Sequence, residues 1–94
     1  MFRLWGKIWK AGRILRDTTV SDDSEDTRTH KVMHCLEKIC WEFDLPRPIW
    51  LEANIRQFKQ HDKTRFTKDS FIEQIDFDCL EIQVLEEDQG SGQT

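Results

Sequence analysis

Hydrophobic and polar residues follow different periods along this chain, and each period predicts a different element. From residue 27 to about residue 43, apolar side chains recur every three or four residues, which is the spacing of a helix with one buried face. An acidic linker, residues 21–26, precedes this helix and offers Ser24 and Asp26 as caps. The prolines at 46 and 48 end it. The apolar positions of the helix are Val32, Leu36, Ile39, Cys40 and Phe43.

A second helix is predicted from Pro48 to about Gln60. Proline is favoured in the first turn of a helix, where its missing N–H would have no partner in any case. Leu51, Ile55 and Phe58 then form the apolar stripe by which this helix faces the core. Trp41, near the end of the first helix, and Trp50, after Pro48, are expected to be core residues at the LPRPIW corner between the two helices.

The rest of the chain predicts a loop and a final strand. The segment HDKTRFTKDSF, residues 61–71, is polar and basic and is predicted to be a loop, with Thr67 or Asp69 capping a short turn at residues 70–74. Apolar and polar side chains alternate over residues 76–86, which predicts a strand with one face partly in water.

The opening stretch, MFRLWGKIWKAGRILRD, fits two different elements. As a helix, it separates apolar from basic side chains in the manner of a helix that lies on an anionic membrane surface. The glycines at 6 and 12 oppose that interpretation, because each costs about 1 kcal/mol in a helix interior. As a hairpin with the loop Lys10-Ala11-Gly12, it places Gly12 where the turn needs a positive φ. We therefore favour the hairpin.

The hairpin carries a predicted register and a predicted binding face. Ile8 lies opposite Ile14 in it, and Trp9 lies opposite Arg13, so that apolar side chains share one face. The predicted partner-binding residues on the other face are Arg3, Trp5, Lys7, Trp9 and Arg13. Aromatic rings that alternate with cations on a sheet surface are suited to binding acidic proteins, other subunits or nucleic acid bases.

The predicted elements run in the order strand, strand, helix, helix, strand. The simplest way to bury their apolar faces is an α+β fold in which a small three-stranded antiparallel sheet packs on two helices. Residues 1–86 are expected to form a single domain, and residues 87–94 are expected to form a flexible polar tail.

Composition narrows the class of function. A chain of 94 residues has little room for both a core and a deep substrate cleft, so a binding protein is the default and no small-molecule substrate is evident. Its charges form blocks: residues 1–16 hold five basic and no acidic side chains, and residues 73–94 hold seven acidic and no basic ones. Such blocks either attract partners of opposite sign or neutralise one another.

Several short segments of the chain resemble segments of other proteins. The segments LWGKI, DTRTHKV, LPRPIWL, KTRF and FIEQIDFDCLEIQV resemble, in this order, those of a group of short uncharacterised bacterial proteins. The likeness covers about residues 3–88. The resemblance implies a bacterial, intracellular, stand-alone small domain, and it carries no catalytic or binding residue to transfer.

Candidate catalytic and metal-binding groups have simpler structural interpretations. His30 and His34 are spaced to share one helix face, but no third ligand stands at a recognisable offset, and we expect no metal. Asp76 and Asp78 could act as paired carboxylates, yet they belong to an all-acidic segment. No phosphate loop or nucleophile motif is present, so we predict no enzymatic activity and no cofactor. The three cysteines are expected to be reduced and buried.

The favoured function is therefore binding through the cationic aromatic hairpin face, to an acidic protein partner or to another subunit. Nucleic-acid binding is the first alternative, although the acidic sequence pI of about 5.3 opposes it. Peripheral membrane binding through residues 1–17 is the second, and the lack of a long apolar run favours a cytoplasmic protein. A second basic cluster, expected either to dock acidic segments of the chain or to bind anions, consists of Lys59, Lys63, Arg65 and Lys68.

Overall fold

Four strands and two α-helices form the frame of the molecule. The computed structural model describes residues 1–87, whose elements in chain order are β1 (Phe2–Lys10), β2 (Arg13–Asp22), α1 (Arg28–Phe43), α2 (Glu52–His61), β3 (Lys63–Phe66), a 3-10 helix (Lys68–Ser70) and β4 (Cys79–Glu86). The strands pair antiparallel in the order β2-β1-β4-β3. The predicted α+β class is confirmed, whereas the predicted three-stranded sheet is wrong by one strand.

The additional strand is β3, which lies in the segment predicted to be a loop. It is four residues long, and its buried side chains are Thr64 and Phe66. The exposed positions that alternate with them, Lys63 and Arg65, are basic, so the segment is polar overall and too short to show a clear alternation. Pairing with β4, not local propensity, makes this segment a strand.

The predicted N-terminal hairpin is confirmed, but its loop is two residues long instead of three. Ala11 and Gly12 both have positive φ, 53° and 78°, as the two central residues of a type I′ turn require. The backbone N–H of Ala11 donates a hydrogen bond to Asp78 Oδ2 at 2.9 Å, which holds the turn against the sheet. Because residues 2–10 form a strand, the interpretation of this segment as a membrane-surface helix is wrong.

The hairpin register also differs from the prediction. Trp9 lies opposite Ile14, and Ile8 lies opposite Arg16, so that Leu15 is an extra residue of β2 in a bulge. The predicted pairs of Ile8 with Ile14 and of Trp9 with Arg13 are therefore wrong. A sequence cannot distinguish a two-residue loop followed by a bulge from a three-residue loop, because both return the later residues to the same faces.

Helix α1 begins and ends with specific caps. The side chain of Thr27, not that of Ser24 or Asp26, accepts the hydrogen bond from the backbone N–H of His30. Asp44 ends the helix in the left-handed conformation with φ of 58°. The predicted apolar face of α1 is buried throughout.

Helix α2 starts later than predicted and turns a different face to the core. It begins at Glu52, not at Pro48. Leu51 and Ile55 are exposed, and the buried side chains of α2 are Asn54 and Phe58. The Asn54 amide donates hydrogen bonds to Thr64 Oγ1 and to a backbone oxygen of β3, each at 2.9 Å, so this polar side chain joins α2 to β3.

The tryptophans outside the hairpin have opposite environments. Trp50 packs edge-on against Phe58 and Phe66, with ring centroids 5.5 and 5.0 Å apart, as expected for a core residue. Trp41 was also expected in the core, and that prediction is wrong. Its side chain is 84% exposed on α1.

The predicted tail of residues 87–94 lies outside the described residues except for Glu87. The carboxylate of Glu87 accepts a hydrogen bond from Arg28 Nε at 2.8 Å, and the same guanidinium contacts Asp62 at 2.7 Å. Glu87 thus fastens the end of β4 to the start of α1.

Acid should weaken the fold through Asp22, at the end of β2. Hydrogen bonds from the Ser24 side chain and backbone, helped by His34, lower the pKa of the Asp22 carboxyl from 3.8 to about 2. Because the folded-state pKa lies below the unfolded one, this stabilisation is complete above pH 3.8 and is lost as the pH falls towards 2. Urea unfolding between pH 5 and pH 2 should show a smaller decline in the Asp22→Asn variant than in the wild type. Equal declines would contradict the assignment.

Candidate functional site

The two faces of the sheet differ in what covers them. Along β1, the side chains of Phe2, Leu4 and Ile8 point into the core beneath the helices and are buried. The residues that alternate with them point to the opposite side, against which neither helix packs within residues 1–87. We call this side the open face, and its central residues are Trp5, Lys7 and Trp9 of β1, Lys63 and Arg65 of β3, and Glu81 and Gln83 of β4.

Both tryptophans of the open face are half-buried and are held by hydrogen bonds from their ring nitrogens. Trp5 Nε1 donates to Asp17 Oδ2 at 2.8 Å, and Trp9 Nε1 donates to Glu81 Oε1 at 2.7 Å. Short bonds to carboxylate acceptors are stronger than bonds between neutral groups. They fix the orientation of each indole relative to the sheet.

Cations lie over the faces of the same two rings. Lys7 Nζ is 3.9 Å from the centroid of the Trp5 ring, and the guanidinium carbon of Arg65 is 5.3 Å from the centroid of the Trp9 ring. Both distances are within the range of favourable cation–π contacts. Each indole is therefore held both at its edge and at its face.

A buried ion pair lies between the two tryptophans. Lys7 is 5% exposed and Glu81 is 4% exposed, and Lys7 Nζ lies 3.5 Å from Glu81 Oε1. Lys7 Nζ also donates to Gln83 Oε1 at 3.1 Å. On a face without a helix, the surrounding indole rings and the Arg65 side chain shield these charges from water.

The open face brings together parts of both predicted basic clusters. Lys63 and Arg65, predicted as members of the second cluster, lie across β4 from the hairpin residues. Arg65 Nε is 3.7 Å from Glu81 Oε1, the oxygen that also contacts Lys7 and Trp9. Arg3 lies at the end of β1, with its guanidinium 3.6 Å from Glu86.

Three predicted site residues lie elsewhere. Arg13 pairs with Lys10, so the register places it on the side of the sheet opposite to Trp9, and Ile14 takes the position beside Trp9. Lys59 lies on α2, where it lines an apolar cavity of about 300 Å³ between the two helices. Lys68 lies in the 3-10 helix.

The carboxylates of the open face were not among the predicted site residues. Asp17, Glu81 and Glu86 each accept a contact from an indole or a cation of β1 or β3. The sequence held a signal for Glu81 and Glu86, which belong to the acidic final strand. An acidic strand and a basic strand attract one another as neighbours in a sheet. The charge blocks of the sequence thus partly neutralise one another within the fold.

The histidine pair of α1 is engaged by the acidic linker. His30 Nδ1 lies 2.8 Å from Asp26 Oδ1, and His34 Nδ1 lies 3.1 Å from Asp22 Oδ2. Contact with His30 is the main cause of a lowered pKa of Asp26. In the described part of the chain, no group of three or more histidine, cysteine, aspartate or glutamate side chains is arranged to hold a metal ion.

The three cysteines are free and buried. Desolvation raises the pKa of the Cys35 and Cys40 thiols to about 11 and also raises that of Cys79. A thiol with a raised pKa is a poor nucleophile at neutral pH, since the thiolate is the reactive form. These residues therefore pack as small apolar groups.

The fold and the open face together define a small α+β protein with a preformed aromatic and charged sheet surface. No family model, curated protein or solved structure matches the chain. Over residues 1–87, neither helix has the length and apolar character needed to cross a membrane.

Proposed function

We propose that this protein is a non-enzymatic binding module of the cytoplasm that binds an acidic protein partner on the open face. The observation that carries the proposal is the buried ion pair of Lys7 and Glu81 between two immobilised tryptophans, on the side of the sheet that neither helix covers. Burying charge is costly, and this ion pair lies outside the hydrophobic core, so it adds little to core packing.

Preorganisation supports a binding role. Association ordinarily costs free energy for each side chain that must be immobilised, and the indoles of Trp5 and Trp9 are already fixed at edge and face. Tryptophan and arginine are also among the residue types that contribute most binding energy at protein interfaces. A partner that docks here would contact rigid aromatic surface at little entropic cost.

The outward cations favour an acidic partner. The Arg65 side chain is 58% exposed, and its guanidinium has more donors than its contact with Glu81 uses. Lys63 and Arg3 are exposed on the same side of the sheet. Partner carboxylates would pair with these cations while partner apolar groups contact the indoles, which matches the usual arrangement of polar rim and aromatic centre.

Selection from a displayed library of random short peptides tests the proposal. We expect the immobilised full chain to enrich peptides that combine aspartate or glutamate with aromatic or aliphatic residues. Arg65→Glu should weaken binding of the selected peptides by about ten-fold or more, since it places a carboxylate against the carboxylates of the peptide. The matched control is Arg56→Glu, which makes the same change at an exposed position of α2 and should leave binding unchanged.

Two results would contradict the proposal. One is enrichment of basic or uncharged peptides, or of peptides that bind wild type and Arg65→Glu equally well. The other is tighter binding of a single-stranded oligonucleotide with an affinity that falls steeply with salt, which would assign the open face to nucleic acid.

A further inference from the structure

The cavity between α1 and α2 is apolar and opens to solvent. Its volume of about 300 Å³ lies at the lower end of the range of small-molecule sites. Such sites are typically lined by apolar and aromatic side chains with a few polar groups among them. The apolar part of this wall consists of Val32, Met33, Trp50, Ile55 and Phe58.

Two residues of the wall leave apolar surface in water at the mouth of the cavity. Met33 of α1 is 42% exposed, and Ile55 of α2 is 44% exposed. Ile55 belongs to the apolar stripe that the sequence predicts to face the core, and the structure places it at the cavity instead. A ligand with an apolar chain would remove this surface from water, which favours binding.

The charged residues of the wall are both cations. Lys59 has no hydrogen-bond or ion-pair partner within residues 1–87. Arg28 uses Nε and Nη2 in its contacts with Glu87 and Asp62, and in the same part of the chain its Nη1 group has no acceptor. Among the described residues, no aspartate or glutamate lines the cavity. In a protein with a formal net charge of −4, this wall favours an anion over a cation.

The indole of Trp50 provides a reporter of the cavity wall. Its Nε1 is buried and has no hydrogen-bond acceptor within residues 1–87. Buried donors are ordinarily paired, so this N–H is an exception. Because no hydrogen bond fixes it, its NMR resonance should respond to small movements of the ring when a ligand packs on the wall.

We propose that this cavity binds one amphiphilic anion, with an apolar chain inside and a carboxylate at the mouth. The chain contacts Met33, Trp50 and Ile55. The carboxylate accepts hydrogen bonds from Lys59 and from Arg28 Nη1, since guanidinium and ammonium groups form strong charge-assisted bonds with carboxylates. The site lies on the helical side of the sheet, so it is separate from the open face and from the binding of an acidic protein there.

Titration of the full chain with sodium decanoate, kept below its micelle-forming concentration, tests the proposal by calorimetry and NMR. We expect one site with a Kd of about 100 µM or below. Octanoate should bind roughly fifteen-fold more weakly, because each of its two missing methylene groups contributes about four-fold. The Trp50 indole resonance should shift, whereas those of Trp5 and Trp9 should stay in place.

Charge reversal at the mouth tests the position of the carboxylate. Wild type should bind decanoate more tightly than decyltrimethylammonium, which carries a cation on a similar chain. Lys59→Glu should weaken decanoate binding about ten-fold and shift the preference towards the cationic amphiphile. Arg56→Glu makes the same change of charge on α2 outside the cavity wall and should bind decanoate like wild type. Ile55→Ser should weaken the binding of both amphiphiles, because it removes apolar wall.

Several outcomes would overturn the proposal. They are a lack of saturable decanoate binding up to about 1 mM, equal affinity of wild type for the two amphiphiles, and equal effects of Lys59→Glu and Arg56→Glu. Indole shifts at Trp5 and Trp9 in place of Trp50 would move the site to the open face. Self-association that is lost in Ile55→Ser, in a chain that binds no decanoate, would assign the cavity to a second copy.

Discussion

Replacing Gly6 with alanine should lower the free energy of unfolding by about 2–4 kcal/mol, a large loss for a change of one methyl group. Gly6 lies in the middle of β1, directly beneath α1. A Cβ at this position would lie 2.6 Å from Ile39 Cγ2 and 2.9 Å from Ile39 Cδ1. Both atoms belong to a side chain that is itself fully buried, so the clash cannot be relieved by a rotation into solvent.

A loss of stability in Gly6→Ala is informative because the intrinsic strand preferences of glycine and alanine predict a gain. Alanine is better than glycine in a strand interior by roughly 0.5–1 kcal/mol, since glycine loses more backbone freedom on folding. A net loss must therefore come from the contact between α1 and the sheet. The measurement is urea unfolding followed by circular dichroism at neutral pH.

A double-mutant cycle with Ile39→Ala isolates that contact. Ile39→Ala alone should cost about 2–5 kcal/mol as a cavity, and the combined variant should cost clearly less than the sum, because the new methyl group enters the space that was vacated. Gly12→Ala is the contrasting control, since no atom lies within 4 Å of a Cβ there and only its φ of +78° opposes the change. Strict additivity of Gly6→Ala and Ile39→Ala would show that α1 does not approach β1 as closely as described.

Much of the fold could be predicted because local patterns specify it. Helix α1 follows from its apolar spacing and ends near its prolines, and the hairpin follows from Gly12 and the alternation around it. Strand β3 could not be predicted, because Lys63–Phe66 becomes a strand only through its partner β4. The exposure of Trp41 could not be predicted either, because burial of a helix position depends on what packs against that side of the helix.

The candidate site was predictable by residue type but not by geometry. Alternation placed Trp5, Lys7 and Trp9 on one side of a strand, and the structure has them there. The bulge at Leu15 moved Arg13 to the other side, and long-range pairing brought in Arg65. Strand order and register depend on contacts across the whole sheet, which no local period encodes.

Replacing Glu81 with leucine should lower the free energy of unfolding by about 3–5 kcal/mol. The change removes the ion-pair partner of the Lys7 ammonium, which has almost no access to water. The same change removes the acceptor of the Trp9 indole N–H. Lys7→Met should cost less, since the carboxylate of Glu81 would still contact Arg65 and accept from Trp9. Urea unfolding measures both losses.

The double variant Lys7→Met/Glu81→Leu should be more stable than Glu81→Leu alone, because a buried pair replaced as a whole leaves no uncompensated charge. Arg3→Met provides the control, since Arg3 pairs with Glu86 at 3.6 Å where both side chains are about half exposed, and an exposed pair contributes at most about 1 kcal/mol. If Glu81→Leu costs no more than Arg3→Met, the central pair is hydrated and the open face is not preformed. If the double variant is stable yet no longer binds the selected acidic peptides, the buried charges serve to hold the tryptophans for a partner.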